Sequence, residues 1–427
     1  SSEWPVANRA IELYLQKKSE NEGWERQING LSNNEKANLL LEKHTFKELL
    51  ADVEQRNLQN NIVGLEASRL FARSEINMGV DAFRDSLYAM LKRNTFLNIK
   101  FENMLDTLGE MSRTDLYSYL KEWEQLTPLP FYSIGEPELT KVVNKGGEEF
   151  FVLKVLVSNN SDYDGIIQMN VLQNGWWYQP MEDPRARKKV EIAAHTSKEF
   201  VSVWEEQIRD VEINTMVSGN LPYMIRQSIG NVKQERNKIV KDTIYTLPES
   251  SLEMPGEVIV DNEDSTLFVL STPAVVGLLP KWLDKVEDTS FKYSGISWWR
   301  APLQWTATTN AKYYGKYIRS AYVIKSGDGS QTATWKIPVP EAGQYELYYH
   351  VFKDDELRWN DRLQGEYHFR VAYDSEMEDA YINLRKANEG WEQLGTYYFS
   401  ADTVRVVLTD ECKLRSVTAD AVKIVKR

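Results

Sequence analysis

The sequence has 427 residues, room for about three ordinary domains, and its 42% hydrophobic and 11% aromatic content can fill their cores. With 51 basic against 63 acidic side chains the net charge is -12, and no Lys/Arg-rich block is present, which argues against nucleic acid as a partner. The longest apolar stretches, such as Ala274 to Leu279, fall far short of the ~20 residues of a membrane-spanning helix, and the single cysteine, Cys412, allows neither an internal disulfide nor a thiolate metal cluster. The chain opens Ser1-Ser2-Glu3 without methionine or an apolar signal region, so it is expected to be processed or cut from a longer protein.

Residues 1–130 carry helical periodicity. Val80, Phe83, Leu87 and Leu91 share one face, as do Phe101, Met104, Leu105 and Leu108, with Gly109 expected to stop that helix. Leu116, Tyr119, Leu120, Trp123 and Leu126 form a third stripe, with Ser112 and Asp115 as its expected capping box. Beyond Pro130 the period changes to two, which predicts strands at Phe151 to Val157, Ile166 to Leu172, Lys189 to Ala193, Phe200 to Trp204 and Val211 to Met216. Residues 131–220 thus read as a small β-sandwich and 221–285 as a polar connector with some strand. Residues 286–427 read as a second, aromatic-rich β-sandwich, jelly-roll-like. The expected class is multidomain α+β: a helical subdomain followed by two antiparallel β-sandwich domains.

Catalytic motifs are missing. The four histidines, His44, His195, His350 and His368, form no H-E-x-x-H, and Glu191 and His195 lie on an expected strand, where i, i+4 spacing does not make a metal pair. No nucleophile elbow, Walker loop or dinucleotide fingerprint occurs, and Gly327-Asp328-Gly329-Ser330 reads as a turn between strands. A glycosidase carboxylate pair is spatial, so a sequence alone does not reveal one.

The run from Gly64 to Pro130 resembles the helices after the active site of aminopeptidase N-type zinc peptidases, the gluzincins. The resemblance rests on Met78-Gly79-Val80-Asp81-Ala82-Phe83, Phe101 with Met104-Leu105, Thr114-Asp115-Leu116, Tyr119-Leu120, Trp123 and Pro128-Leu129-Pro130. With the strands that follow, it covers about residues 60–217. It implies a zinc motif upstream, in the parent protein, so zinc is a cofactor of the parent and no cofactor is expected in this chain. The family's oxyanion tyrosine is replaced, because Tyr-x-Lys-Gly reads Asn61-Ile62-Val63-Gly64 here. Asn21-Glu22-Gly23-Trp24 is similar to the family's glutamate ligand motif, but Asn388-Glu389-Gly390-Trp391 repeats it in a β region.

The C-terminal region resembles the golvesin-type, carbohydrate-binding-like module of bacterial polysaccharide lyases and envelope proteins. Its marks are Tyr314-Gly315, the block from Gly327 to Trp335, Pro340 to Glu346, Trp391 to Phe399, and Ala419-Asp420-Ala421-Val422. Eight aromatic residues crowd Phe291 to Tyr317, most of them expected in the core or a domain seam. Rings left exposed would stack on sugars, which makes Trp298, Trp299 and Trp305 the candidate ligand-binding residues. Asp420 is expected to hold a turn.

The resulting expectation is a non-catalytic C-terminal scaffold and binding segment of a periplasmic or cell-surface bacterial metallopeptidase-like protein. Its expected partners are an upstream catalytic-like domain of the same polypeptide and an envelope polysaccharide. Two alternatives stand beside it: the substrate-channel part of an active zinc aminopeptidase, and a structural envelope protein without glycan ligand.

Overall fold

The computed structural model describes all residues except 1–4, 17–21, 122, 124, 127, 173–182, 237–239, 251, 253–255, 272–290, 297–299, 354–364 and 375. The helices are α1 (Pro5–Leu15), α2 (Glu22–Asn29), α3 (Asn33–Leu41), α4 (Phe46–Ala51), α5 (Gln59–Met78), α6 (Val80–Arg93), α7 (Phe101–Ser112) and α8 (Leu116–Lys121). Two compact units result. One contains Ser1–Glu20 and Asn33–Leu252, the other Asn21–Ser32 and Glu253–Arg427.

In the first unit the helices bury the apolar stripes read from the sequence, with Phe83, Leu87, Phe101, Leu105 and Leu108 in one core. Two helix boundaries differ from expectation. Gly109 lies inside α7, which runs on to Ser112 and ends at Arg113 in the left-handed conformation. A side chain at Gly109 would meet the Thr114 carbonyl oxygen at 2.6 Å, so this glycine serves a close approach and not a stop. Asp115 alone caps α8, accepting the Ser118 amide at 3.1 Å, while Ser112 is buried with its hydroxyl donating to Leu108 O at 2.7 Å.

The strands of this unit are β1 (Tyr132–Ile134), β2 (Glu138–Val143), β3 (Glu149–Asn159), β4 (Gly165–Leu172), β5 (Arg187–Ile192), β6 (Thr196–Trp204), β7 (Asp210–Asn214), β8 (Met224–Ser228), β9 (Val232–Arg236) and β10 (Thr243–Pro248). They form one sheet in the order β10-β6-β3-β2-β9, with β1 on β3, and another in the order β5-β4-β7-β8. Inward residues of both sheets share one core that includes Leu153, Val155, Met169, Phe200 and Ile213. The β2 and β9 pair is parallel, and the others are antiparallel. The stretch read as a connector, 221–285, divides between the units: 224–248 supplies β8, β9 and β10 here, and 257–270 supplies two strands of the second unit.

The second unit holds β11 (Glu257–Val260), β12 (Phe268–Leu270), β13 (Thr306–Thr309), β14 (Ser320–Lys325), β15 (Thr332–Pro338), β16 (Gly343–Val351), β17 (Glu366–Tyr373), β18 (Glu376–Asn383), β19 (Gly390–Phe399), β20 (Thr403–Thr409), β21 (Ser416–Ala419) and β22 (Val422–Lys426). Its sheets run β11-β22-β16-β19, β12-β15-β20-β17-β18 and β13-β14-β21. The buried rings of Trp335, Tyr345, Tyr349, Phe369 and Phe399 come from both larger sheets and meet in one core. The helix α2 belongs to this unit, where the Thr309 hydroxyl donates to Gly30 O at 2.9 Å. A helical part followed by antiparallel sheets is therefore the architecture.

Candidate functional site

Alternation along three central strands builds the most distinctive surface of the second unit. Trp335 on β15, Phe369 on β17 and Val406 on β20 point into the core. Period two then turns Lys336, His368, Arg370 and Arg405 outward, and on the edge strand β18 it does the same for Asp379 and Tyr381. Register places His368 opposite Tyr381, Arg370 opposite Asp379, and Lys336 opposite Arg405.

Tyr381 is 57% exposed, and its ring is backed by the His368 imidazole at 5.0 Å and 14° between planes. The imidazole is itself fixed. Its Nε2 lies 2.9 Å from Asp379 Oδ1, and its Nδ1 lies 3.3 Å from the Thr409 hydroxyl and 3.5 Å from Glu411. A flat, solvent-facing ring on a rigid support is thereby presented beside hydrogen-bonding side chains. Arg370 is half-buried, and its Nε is enclosed without an acceptor among the described residues.

At one end of this sheet a cavity of about 480 Å³ is lined by Tyr373, Asp374, Ser400, Asp402, Thr403 and Val404. Asp374 takes a left-handed turn at φ 47 and accepts the Ser400 hydroxyl at 2.8 Å. The Tyr373 phenol donates to Glu378, which pushes its pKa up to about 12, because ionisation would place two negative charges together.

A second cluster has the geometry of a clamp. Asp420 is buried, its Oδ2 lies 2.8 Å from His350 Nδ1, and its two carboxylate oxygens accept the Tyr314 amide at 3.2 and 3.1 Å. Burial raises its carboxyl above the ordinary range, with His350 opposing that effect. Asp261 is raised further, first by burial and then by the neighbouring Asp420 and Glu263 carboxylates. The nearby Trp391 ring is engaged internally, with Tyr314 at 5.0 Å, His350 at 5.1 Å and the Lys423 ammonium at 4.8 Å. This arrangement ties the Tyr314 loop to the sheet through Asp420.

Of the residues singled out in the sequence, Trp298 and Trp299 lie outside the described residues. Trp305 is half-buried against the core of the second unit, and its indole Nε1–H is enclosed with no acceptor among the described residues. From the same aromatic run Tyr293 and Tyr313 are buried. Glu22 is buried in α2, and Glu389 pairs with Lys312 at 2.9 Å. His195 stands between Asp162 and Glu249, each at 2.8 Å, and both hydrogen bonds raise its pKa. Among the described residues no group of three or more His, Cys, Asp or Glu side chains could hold a metal ion. Tyr381, Arg370 and Arg405 do not stand out in the sequence, and His368 stands out only as a histidine outside any metal motif. For His368, Arg370 and Arg405 the signal was present as polar residues alternating with the apolar ones from Tyr367 to Val371 and from Val404 to Val406, whereas Tyr381 lies outside both runs.

No curated protein matches the chain. Among solved structures it is similar at a TM-score of 0.20 and 11% identity to a β-glucuronidase of Bacteroides uniformis, covering 74% of this chain and 32% of that one. A calcium-binding mutant of Bacteroides uniformis β-glucuronidase 2 scores alike, at 0.20 and 11%, with 73% and 32% covered. The atomic structure of Sulfolobus Turreted Icosahedral Virus matches at 0.15 and 9%, with 70% and 92% covered. The chain thus spans about a third of the length of the glucuronidases, and scores this low carry no argument about fold or activity. Residues 299–426, which hold β13 to β22, match the family model described as the Golvesin C-terminal domain, so the chain ends in a golvesin-type region.

Proposed function

We propose that the chain is a non-catalytic scaffold and binding segment of an exported bacterial protein, and that its golvesin-type region holds an envelope glycan on the outer face of the β12-β15-β20-β17-β18 sheet. The observation that carries this reading is Tyr381, an exposed ring stacked on a fixed His368 and flanked by Asp379 and Arg370. An exposed phenol face suits the C–H face of a sugar ring, and the neighbouring carboxylate and guanidinium suit its hydroxyls. The match of residues 299–426 and the resemblance of that region to polysaccharide-associated modules support the same reading. Two larger sheets sharing one core support a β-sandwich of jelly-roll type. The motif order over residues 60–217 supports a metallopeptidase-like parent.

One or two stacking contacts imply binding in about the millimolar to high micromolar range. Native electrophoresis of the full chain through gels containing bacterial envelope polysaccharide is the test. Retardation of the wild-type chain and its loss in Tyr381→Ala, with thermal unfolding nearly unchanged, is expected. Equal mobility with and without polysaccharide would leave a structural envelope protein as the better reading.

A further inference from the structure

The chain is acidic, at net charge -12, and carries carboxylates in excess over cations. On the sheet β11-β22-β16-β19 its cations use them: Lys423 lies 2.8 Å from Glu257, Lys426 2.5 Å from Glu341 and Arg427 2.9 Å from Glu346. The outer face of the five-stranded sheet is different. Lys336, Arg405 and Arg370 occupy three neighbouring strands, and among the described residues none of them has a carboxylate partner. Lys336 sits directly opposite Arg405, and Arg370 lies next to the pair that Arg405 makes with Ala372. The nearest candidate partner, Asp379 opposite Arg370, bonds His368 instead, and Glu411 also lies against His368.

Like charges placed opposite each other on a sheet cost stability, so this arrangement is unfavourable for the fold by itself. Adjacent strands are about 4.8 Å apart and Arg370 lies two residues along β17 from the Lys336 and Arg405 register, which spreads the three charges over roughly 12 Å along a bent line. A polymer bearing regular negative charges matches that line, and guanidinium groups pair well with planar or multi-oxygen anions. Resting on the glycan-binding reading above, we infer that the glycan is polyanionic, with ring-borne carboxylates or sulfates meeting Lys336, Arg405 and Arg370 while Tyr381 stacks on a neighbouring sugar.

The test is calorimetry of the full chain against dextran, dextran sulfate and polygalacturonate at about 0.02 M and about 0.5 M salt. Polygalacturonate and dextran sulfate separate carboxylate from sulfate. At least one of the two charged polymers is expected to bind, to weaken about tenfold or more at the higher salt, and to be lost in the Lys336→Thr, Arg405→Thr double variant. The double variant should melt at the same temperature or higher, since it relieves a like-charge pair. Dextran binding equal to that of the charged polymers, insensitive to salt yet lost in Tyr381→Ala, would overturn the polyanion and leave the face standing. Charged-polymer binding that survives in Tyr381→Ala and in the double variant alike would overturn both readings. Tighter binding of single-stranded DNA than of either polysaccharide would also overturn the inference.

Discussion

Asp261 illustrates how one residue can work against the fold that contains it. Burial and the adjacent Asp420 and Glu263 carboxylates raise its pKa well above 3.8, so the folded chain favours its protonated form. Below pH 3.8 the group is protonated whether folded or unfolded, and it makes no difference to stability. As pH rises toward the folded value the folded state binds more protons than the unfolded one, and stability falls. Asp261→Asn removes this loss. The variant is expected to match the wild type near about pH 4 or below and to melt at a higher temperature at about pH 7, as measured by thermal unfolding across that range. A wild type that is the more stable of the two at neutral pH would contradict the electrostatic account. Asp420 shows what a residue reading can achieve from sequence. Its expected role in holding a turn is met by its contacts to the Tyr314 amide, but its partner His350 is 70 residues away and no local pattern pointed to it.

At the level of elements, helices and strands were legible where one side is apolar and obscure where it is not. The face of α7 could be read from Phe101, Met104, Leu105 and Leu108, whereas its end could not, because Gly109 answers to a contact with Thr114 rather than to helix termination. The strand β9 is mostly exposed along Lys233 to Arg236, so it offers no apolar alternation and reads as a connector, although it pairs with β2. The packing of α2 was equally hidden. Gly295 lies against the Ile28 carbonyl, where a Cβ would overlap the backbone, and this brings α2 into the second unit across more than 250 residues of sequence. Gly295→Ala is therefore expected to destabilise the second unit by about 1–3 kcal/mol in urea unfolding. Gly230→Ala, with open space at its Cβ, is the comparison and should stay within about 0.5 kcal/mol. Equal stability of the two variants would show that α2 is not held there.

For the molecule as a whole, the change of period at Pro130 revealed a helical part followed by strands, and the golvesin-type ending was legible from its ordered blocks. The candidate face was not legible. Its residues come from β15, β17, β18 and β20, and only the register between strands shows that Lys336 meets Arg405 or that His368 supports Tyr381. The sequence drew attention to tryptophans because they are conspicuous; Trp298 and Trp299 lie outside the described residues, and the exposed ring backed by an imidazole is Tyr381, on an edge strand. The account rests on that face, and hydrogen exchange of the full chain with and without polygalacturonate tests it most directly. Added protection is expected in β15, β17, β18 and β20, with the β11-β22-β16-β19 sheet unchanged. Protection confined to the latter sheet, or to the first unit, would contradict the account.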